Sequence, residues 1–335
     1  MDQKIRGLQN RNENSENATL ISASLESLNK QAESRSYSVD DINWNLTINR
    51  QKFWAPECLI SISHLPVYKE MSHELKLLWN HLNAIGVAEN FMFFERNSLV
   101  PSMTAALEKT TEPEMRKAMQ HFIDEEIKHA LCFKKLILKA APDLYDENNF
   151  KFRFIKLSPL SRIGFQVLKQ FPNILPAWIW LAIFFEERTL MFSREYITDH
   201  KKKTGSVDEL FYQTHFYHMI DEVRHVKMDE YFIKHFYKTY GGWHACFGAW
   251  AVTQVLKRVT YPHSMAQACI EHIKLLAPHL LSAQMEARIY QELRLLGTTP
   301  SFIEQNLSAA AAPRTKILMQ EFPEFKNFWR DLLTA

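Results

Sequence analysis

Two lone glutamates and two Glu-x-x-His motifs are the residues of this chain that could do chemistry together. Glu95 is followed by Glu126-Ile127-Lys128-His129, and Glu187 by Glu222-Val223-Arg224-His225. Each half therefore offers one Glu and one Glu-x-x-His within sequence of helical periodicity. This is the donor set of a carboxylate-bridged pair of metal ions in a four-helix bundle: two helices each lend a Glu, and two each lend Glu-x-x-His. Three residues turn a helix through about 300°, so Glu and His at i, i+3 sit roughly 60° apart and both can reach an ion on the bundle axis. The second half adds His218, four residues before Glu222, where the first half has Phe122. Residues 218, 222 and 225 share one helical face, so four carboxylates and three imidazoles could converge. Oxygen and nitrogen donors suit iron or manganese, whereas thiolates would have pointed to zinc or an iron–sulfur cluster. The expected cofactor is two iron ions (Fe2+/Fe3+), with manganese second. Zinc is a third metal that accepts such donors.

A third Glu-x-x-His, Glu70/His73, is set aside. It lies in the polar stretch from Tyr68 to Glu74, with no separate helical Glu before it, and reads as a solvated helix start. The two retained motifs each follow a Glu embedded in aromatic residues, Phe91-Met92-Phe93-Phe94-Glu95 and Phe184-Phe185-Glu186-Glu187. A buried carboxylate without a partner is costly, and a metal is the usual remedy. Glu186 and Glu187 are adjacent, and only one can point at a given metal. Glu187 shares a face with Ile183, Phe184, Leu190 and Met191, the more apolar face, which favours it over Glu186. A metal-bound His usually gives its other ring N–H to a carboxylate. Asp221 can do this for His129 with Arg224 anchoring it, and Glu125 with Lys128 can serve His225.

The 335 residues could form one large domain or two small ones, and 46% hydrophobic content is enough for a sizeable core. Only 8 glycines and 13 prolines occur and strand-like alternation is scarce, which predicts an all-α chain. A net charge of +2 without a basic stripe argues against nucleic-acid binding. The four cysteines contain no Cys-x-x-Cys pair, which argues against a zinc ribbon and a disulfide scaffold. The polar N-terminus shows no signal-peptide pattern. The apolar run from Phe171 to Phe185 falls short of the about 20 residues that span a bilayer. The chain reads as cytoplasmic, without membrane association.

Residues 1–40 read as a flexible polar tail with a marginal helix near 19–31. Residues 41–66 read as an irregular arm. Core helices are expected over 68–100, ending at Pro101; over 112–140, with Thr111 as cap; over 174–199; and over 207–238, stopped by Gly241-Gly242. Residues 144–170 link the halves. Shorter outer helices are expected over 244–260, 263–276, 279–297 and 314–333. This gives one domain over 41–335, with the metal-binding core at 68–240 and the outer helices at 244–335.

Asp-Glu-x-Arg-His at 221–225 resembles the fingerprint of diiron oxygenases and ribonucleotide reductase small subunits. His218, in His-x-x-x-Glu-x-x-His, resembles more specifically the AurF-type p-aminobenzoate N-oxygenase family. The segment around Trp54-Ala55-Pro56 and His64-Leu65-Pro66 is similar to that family's pre-bundle arm, and the resemblance covers roughly 45–240. It implies a ferritin-like bundle with added helices, and a diiron cluster ligated by Glu95, Glu126, His129, Glu187, His218, Glu222 and His225. It also implies a monooxygenase that activates O2 to oxygenate a small substrate, in the type members an arylamine nitrogen. The implied partners are O2, that substrate, an external electron donor or reductase, and a second copy in a homodimer. The alternative is a ferroxidase or iron-handling protein without organic substrate, which the chain length and His218 disfavour. A radical-generating subunit wants a Tyr four residues after the first-half His, where Phe133 stands.

Overall fold

The structure is a computed structural model that describes residues 24–156, 162–164, 166, 170, 177–202, 206–237, 243–259, 263–306, 308 and 311–329. Among these residues it is all-helical, in a ferritin-like arrangement, with only an isolated bridge between Phe53 and Val207. No helix among them is long and apolar enough to cross a membrane.

Four long segments carry the candidate ligands. The first begins at α3 (His73–Phe94), after α1 (Leu25–Ser34) and α2 (Pro66–Glu70). Ser72 caps α3 by accepting the Leu75 amide, and Leu75, Trp79, Leu82, Ile85 and Met92 are buried along it. The expected stop at Pro101 is not there. A π-turn, Glu95–Leu99, follows α3, with the Val100 amide reaching back five residues to the Glu95 carbonyl, and α4 (Val100–Leu107) then resumes. Pro101 falls in the first turn of α4, where its missing N–H costs nothing.

The second segment is α5 (Pro113–Ala140). Its N-cap is Glu112 rather than Thr111, one residue later than expected, with Pro113 as the first helical residue. The third is α6 (Ala177–Lys201) and the fourth α7 (Glu209–Tyr237). Asp208 caps α7: Oδ1 accepts the Leu210 and Phe211 amides at 2.9 and 3.3 Å, and Oδ2 holds the Asn49 amide of the arm at 2.7 Å. Gly241-Gly242, the expected stop, lies outside the described residues.

Helix α6 packs most extensively on α7, while α5 bridges α3 and α7. The pairing of α6 with α7 is antiparallel, as the contacts Glu186–His225, Thr189–Glu222 and Ser193–His218 show. Helices α8 (Trp243–Val259) and α12 (Pro313–Gln320) lie against α6, and α9 (His263–Leu276) against α3. Helices α10 (Ala283–Leu293) and α11 (Pro300–Asn306) complete the outer layer, and the buried apolar side chains form one core from Leu25 to Phe328.

The polar tail differs from expectation. Residues 1–23 lie outside the described residues, but 24–40 are ordered on the bundle. Ser24 caps α1, which buries Leu25, Leu28 and Ala32 against α5. The i, i+3, i+7 apolar stripe, not the polar average, decides its fate. Asn29 donates to the Glu114 carboxylate at 2.8 Å, fixing α1 to the start of α5. Glu70 of the discarded motif forms an ion pair with Arg288, away from the bundle interior.

Candidate metal centre

Helix α5 presents Glu126 and His129 one turn apart, and α7 presents His218, Glu222 and His225 on one stripe. All five are buried, with exposures of 2% or less. Donor atoms of Glu126, His129, Glu222 and His225 all lie within 4.8 Å of one another, as do those of Glu95, His129 and His218. His129 belongs to both groups and joins them into one site.

Nδ1 of His225 lies 2.8 Å from Glu126 and 3.6 Å from Glu222. Nδ1 of His129 lies 3.3 Å from Glu222 and 3.6 Å from Glu126. Nε2 of His218 lies 3.0 Å from Glu222 and 3.3 Å from Glu95. The π-turn places Glu95, 2% exposed, at this point of the bundle wall.

Helix α6 turns Glu186, not Glu187, toward the cluster. Oε2 of Glu186 lies 3.5 Å from Nδ1 of His225. Glu187 points to the opposite side, where its oxygens accept the amides of Arg314 and Thr315 at 2.8 and 2.7 Å, at the start of α12. The choice between adjacent glutamates made on the more apolar face is therefore corrected. Helix α6 is covered on both sides, so apolarity does not mark the inward face.

Two acids behind the imidazoles fix their orientation. Nε2 of His129 donates to Asp221 at 3.1 Å, and Nε2 of His225 to Glu125 at 2.9 Å. Both rings are thereby left with Nδ1 facing inward, the orientation that a carboxylate behind a metal-bound imidazole imposes. Arg224 donates to both Glu125 and Asp221, joining the two halves. Lys128 pairs with Asp221 at 2.7 Å rather than with Glu125, so it stands behind His129 and not behind His225 as its position suggested. Tyr37, from the segment after α1, covers Lys128, whose Nζ lies 3.7 Å above the ring. Phe122 stacks on His225 with centroids 3.9 Å apart. His218 has no carboxylate behind it; its Nδ1 meets the Ser193 hydroxyl at 3.3 Å, and Phe91 and Phe133 flank the ring.

The electrostatics describe a site that needs a cation. Burial, with the neighbouring Glu126 charge, pushes Glu95 up to about 7. Burial, with Glu222 and Glu126, holds Glu186 well above the usual carboxylate range. Burial opposes a charged His218, yet Glu222 and Glu95 push it up to about 10. Burial likewise opposes a charged His225, but Glu125, Glu126, Glu186 and Glu222 raise it well above its ordinary value. Protons on acids and imidazoles thus balance a surplus of carboxylates, a task that bound metal performs by displacing them.

The donor atoms fit a metal pair. Glu95 Oε2, both oxygens of Glu126, His129 Nδ1, Glu186 Oε2, Glu222 Oε1 and His225 Nδ1 are buried without a hydrogen-bond partner. Buried polar atoms are rarely left unpaired, and here they gather at one point on four helical segments. Sequence reasoning missed Asp229, another unpartnered buried acid on α7, which is one turn beyond His225. Continuing the 218, 222, 225 stripe by four residues would have found it.

The profile of the P-aminobenzoate N-oxygenase AurF family matches residues 20–270. The match takes in the arm, all four ligand-bearing segments and α1, beyond the 45–240 stretch that the motifs mark out. No curated protein matches the chain. Since the match spans well over half of its length and all the residues gathered at the site, the chain belongs to the P-aminobenzoate N-oxygenase AurF family.

Proposed function

We propose that the chain is a diiron oxygenase whose two irons are held by Glu95, Glu126, His129, Glu186, His218, Glu222 and His225. The observation that carries this reading is the convergence of unpartnered, buried carboxylate oxygens and imidazole nitrogens from four helical segments. Four carboxylates against two divalent ions make a neutral unit, which suits an apolar interior. When bound, the irons would supply O2 activation and the oxidising power for oxygen transfer.

The residues of the chain do the rest. Asp221 and Glu125 hold the tautomers of His129 and His225, and Arg224 and Lys128 neutralise those acids. His218 adds a third imidazole on the Glu95 side only, so the two metal positions differ. Phe91, Phe133 and Phe192 form an edge-to-face cluster on that side, which excludes water from it. The family's printed activity supports an arylamine substrate, oxygenated at nitrogen, and the reaction would take its electrons from an external donor.

The test measures iron per chain, reduces the protein anaerobically and admits O2 with each member of an amine library. About two irons per chain, with an O2-induced visible absorption that decays faster with one amine, is the expected result. Failure to take up iron would overturn the proposal, and accumulation of an iron mineral core would replace it with iron handling.

A further inference from the structure

Asp229 lies on α7 four residues beyond His225, so 218, 222, 225 and 229 form one continuous stripe, with Asp229 about 6 Å further along the axis. The residue has 0% exposure, and neither carboxylate oxygen has a hydrogen-bond partner. Other buried acids of the bundle are provided for. Glu89 takes the Tyr145 hydroxyl and the amides of Arg153 and Phe154. Glu187 takes two amides, and Asp221 and Glu125 take cations and imidazoles. Asp229 has none of these.

An ionised carboxylate without a partner in such a place costs more than a domain's whole net stability, so the group is neutralised by a proton. Its surroundings agree: burial, with the charges of Glu126, Glu222 and Glu230, favours the acid, and His225 alone opposes. A charge count gives the same result with metal bound. Four ligand glutamates balance two divalent irons, and Lys128 and Arg224 balance Asp221 and Glu125. Asp229 is the acid left over. Oxidation of two irons held there would add two positive charges about one helical turn away, which favours the ionised form of Asp229 and would let its proton pass to the oxygen atom of O2 that leaves as water.

We propose that Asp229 is held as a neutral carboxylic acid and is the internal proton donor on which the dinuclear centre draws when its metals are oxidised. The donor role rests on the diiron reading; the protonation state does not. Transfer of one oxygen atom from O2 to a substrate consumes two electrons from the external donor and two protons, and releases one water. Asp229 gives one of these protons, its O–H bonding pair remaining on the carboxylate oxygen, and regains a proton from water when the external donor reduces the metals again.

Infrared difference spectroscopy on the full chain tests this. Among the carboxylic-acid bands of the metal-free protein at neutral pH, to which Glu186 also contributes, one should be the carbonyl stretch of a non-hydrogen-bonded aspartic acid, shifted in deuterium oxide and missing from Asp229→Asn. Isotopic labelling of the aspartate carboxyl carbons identifies the band in the wild type, should the variant fail to fold. Absence of the band overturns the proposal. With iron bound, oxidation should bleach the band in the wild type. Asp229→Asn should keep its two irons but lose about a hundredfold in kcat, with KM little changed. A band untouched by oxidation, at two irons per chain, overturns the donor role and leaves the diiron reading standing. A chain that shows the band yet binds no iron sinks that reading and the donor role with it.

Discussion

Glu186 and Glu187 are consecutive residues that face opposite sides of α6: one lies 3.5 Å from His225, the other accepts the Arg314 and Thr315 amides at 2.8 and 2.7 Å. The two carboxylates therefore make opposite predictions. Glu186→Ala should lose iron while the fold survives. Glu187→Ala should keep its iron and lose about 2–3 kcal/mol of stability, since charge-assisted hydrogen bonds to two amides disappear. Metal content and urea unfolding of both variants decide; the reverse pattern would show that the helix is phased the other way.

Glu126 approaches two imidazoles and Glu222 three, and both occupy the middle of the cluster. Replacing either by Ala should abolish the dinuclear signal. Retention of two irons per chain in both variants would sink the assignment of the centre.

Asp221→Asn should weaken iron binding about 10–100-fold, because the amide no longer fixes the tautomer of His129. It also leaves Lys128 without its carboxylate partner. Competition with a chelator of known affinity measures the loss, and an unchanged affinity would show that Asp221 only fills space.

His218 is the residue that makes the two metal positions unequal. His218→Phe should fold, since Phe122 already occupies the matching place of α5 beside His225. The variant should retain much of its iron through the other six residues but lose O2-dependent turnover. Wild-type turnover per iron would make His218 a core histidine only.

The metal-free protein should respond to pH in the opposite sense to the metal-bound one. Folded His218 is raised from 6.5 to about 10 and folded Glu95 from 4.5 to about 7, so the folded state binds these protons more tightly than the unfolded chain. The His218 contribution is fully present below pH 6.5 and is lost as pH rises to about 10; that of Glu95 is lost between pH 4.5 and about 7. Iron displaces the same protons, so its affinity rises with pH. The gain in Tm on adding iron should therefore grow from mildly acidic to mildly alkaline buffer. Calorimetry of both forms checks the sign.

Much of the architecture is legible because spacing carries it. Glu126/His129 and Glu222/His225 lie mid-helix in strongly periodic segments, and α5 and α7 begin and end within a few residues of the expected 112–140 and 207–238. The phase of α6 is not legible in the same way. Trp178, Ile179, Trp180, Leu181, Ala182, Ile183 and Phe184 are all buried, so the turns of α6 before Glu186 have no polar face to read. Composition also hides α1, whose three apolar anchors are outnumbered by polar neighbours. Asp229 was hidden for a different reason: Glu-x-x-His motifs end at His225, and nothing in the motif says that the stripe goes on.

The π-turn at Glu95–Leu99 has a consequence for anyone editing this chain. It holds one residue more than an α-helical path would need between Glu95 and α4. Straightening it into an ordinary helix with the residue count unchanged would turn α3 relative to α4 by about 100°, and would swing either Glu95 out of the interior or the buried face of α4 out of the core. Deleting one residue of the turn would instead remove the widening and leave the two helices in phase. The wide turn thus absorbs one residue without moving its flanks, so the chain should tolerate a one-residue shortening here that it would not tolerate in the middle of α3 or α5.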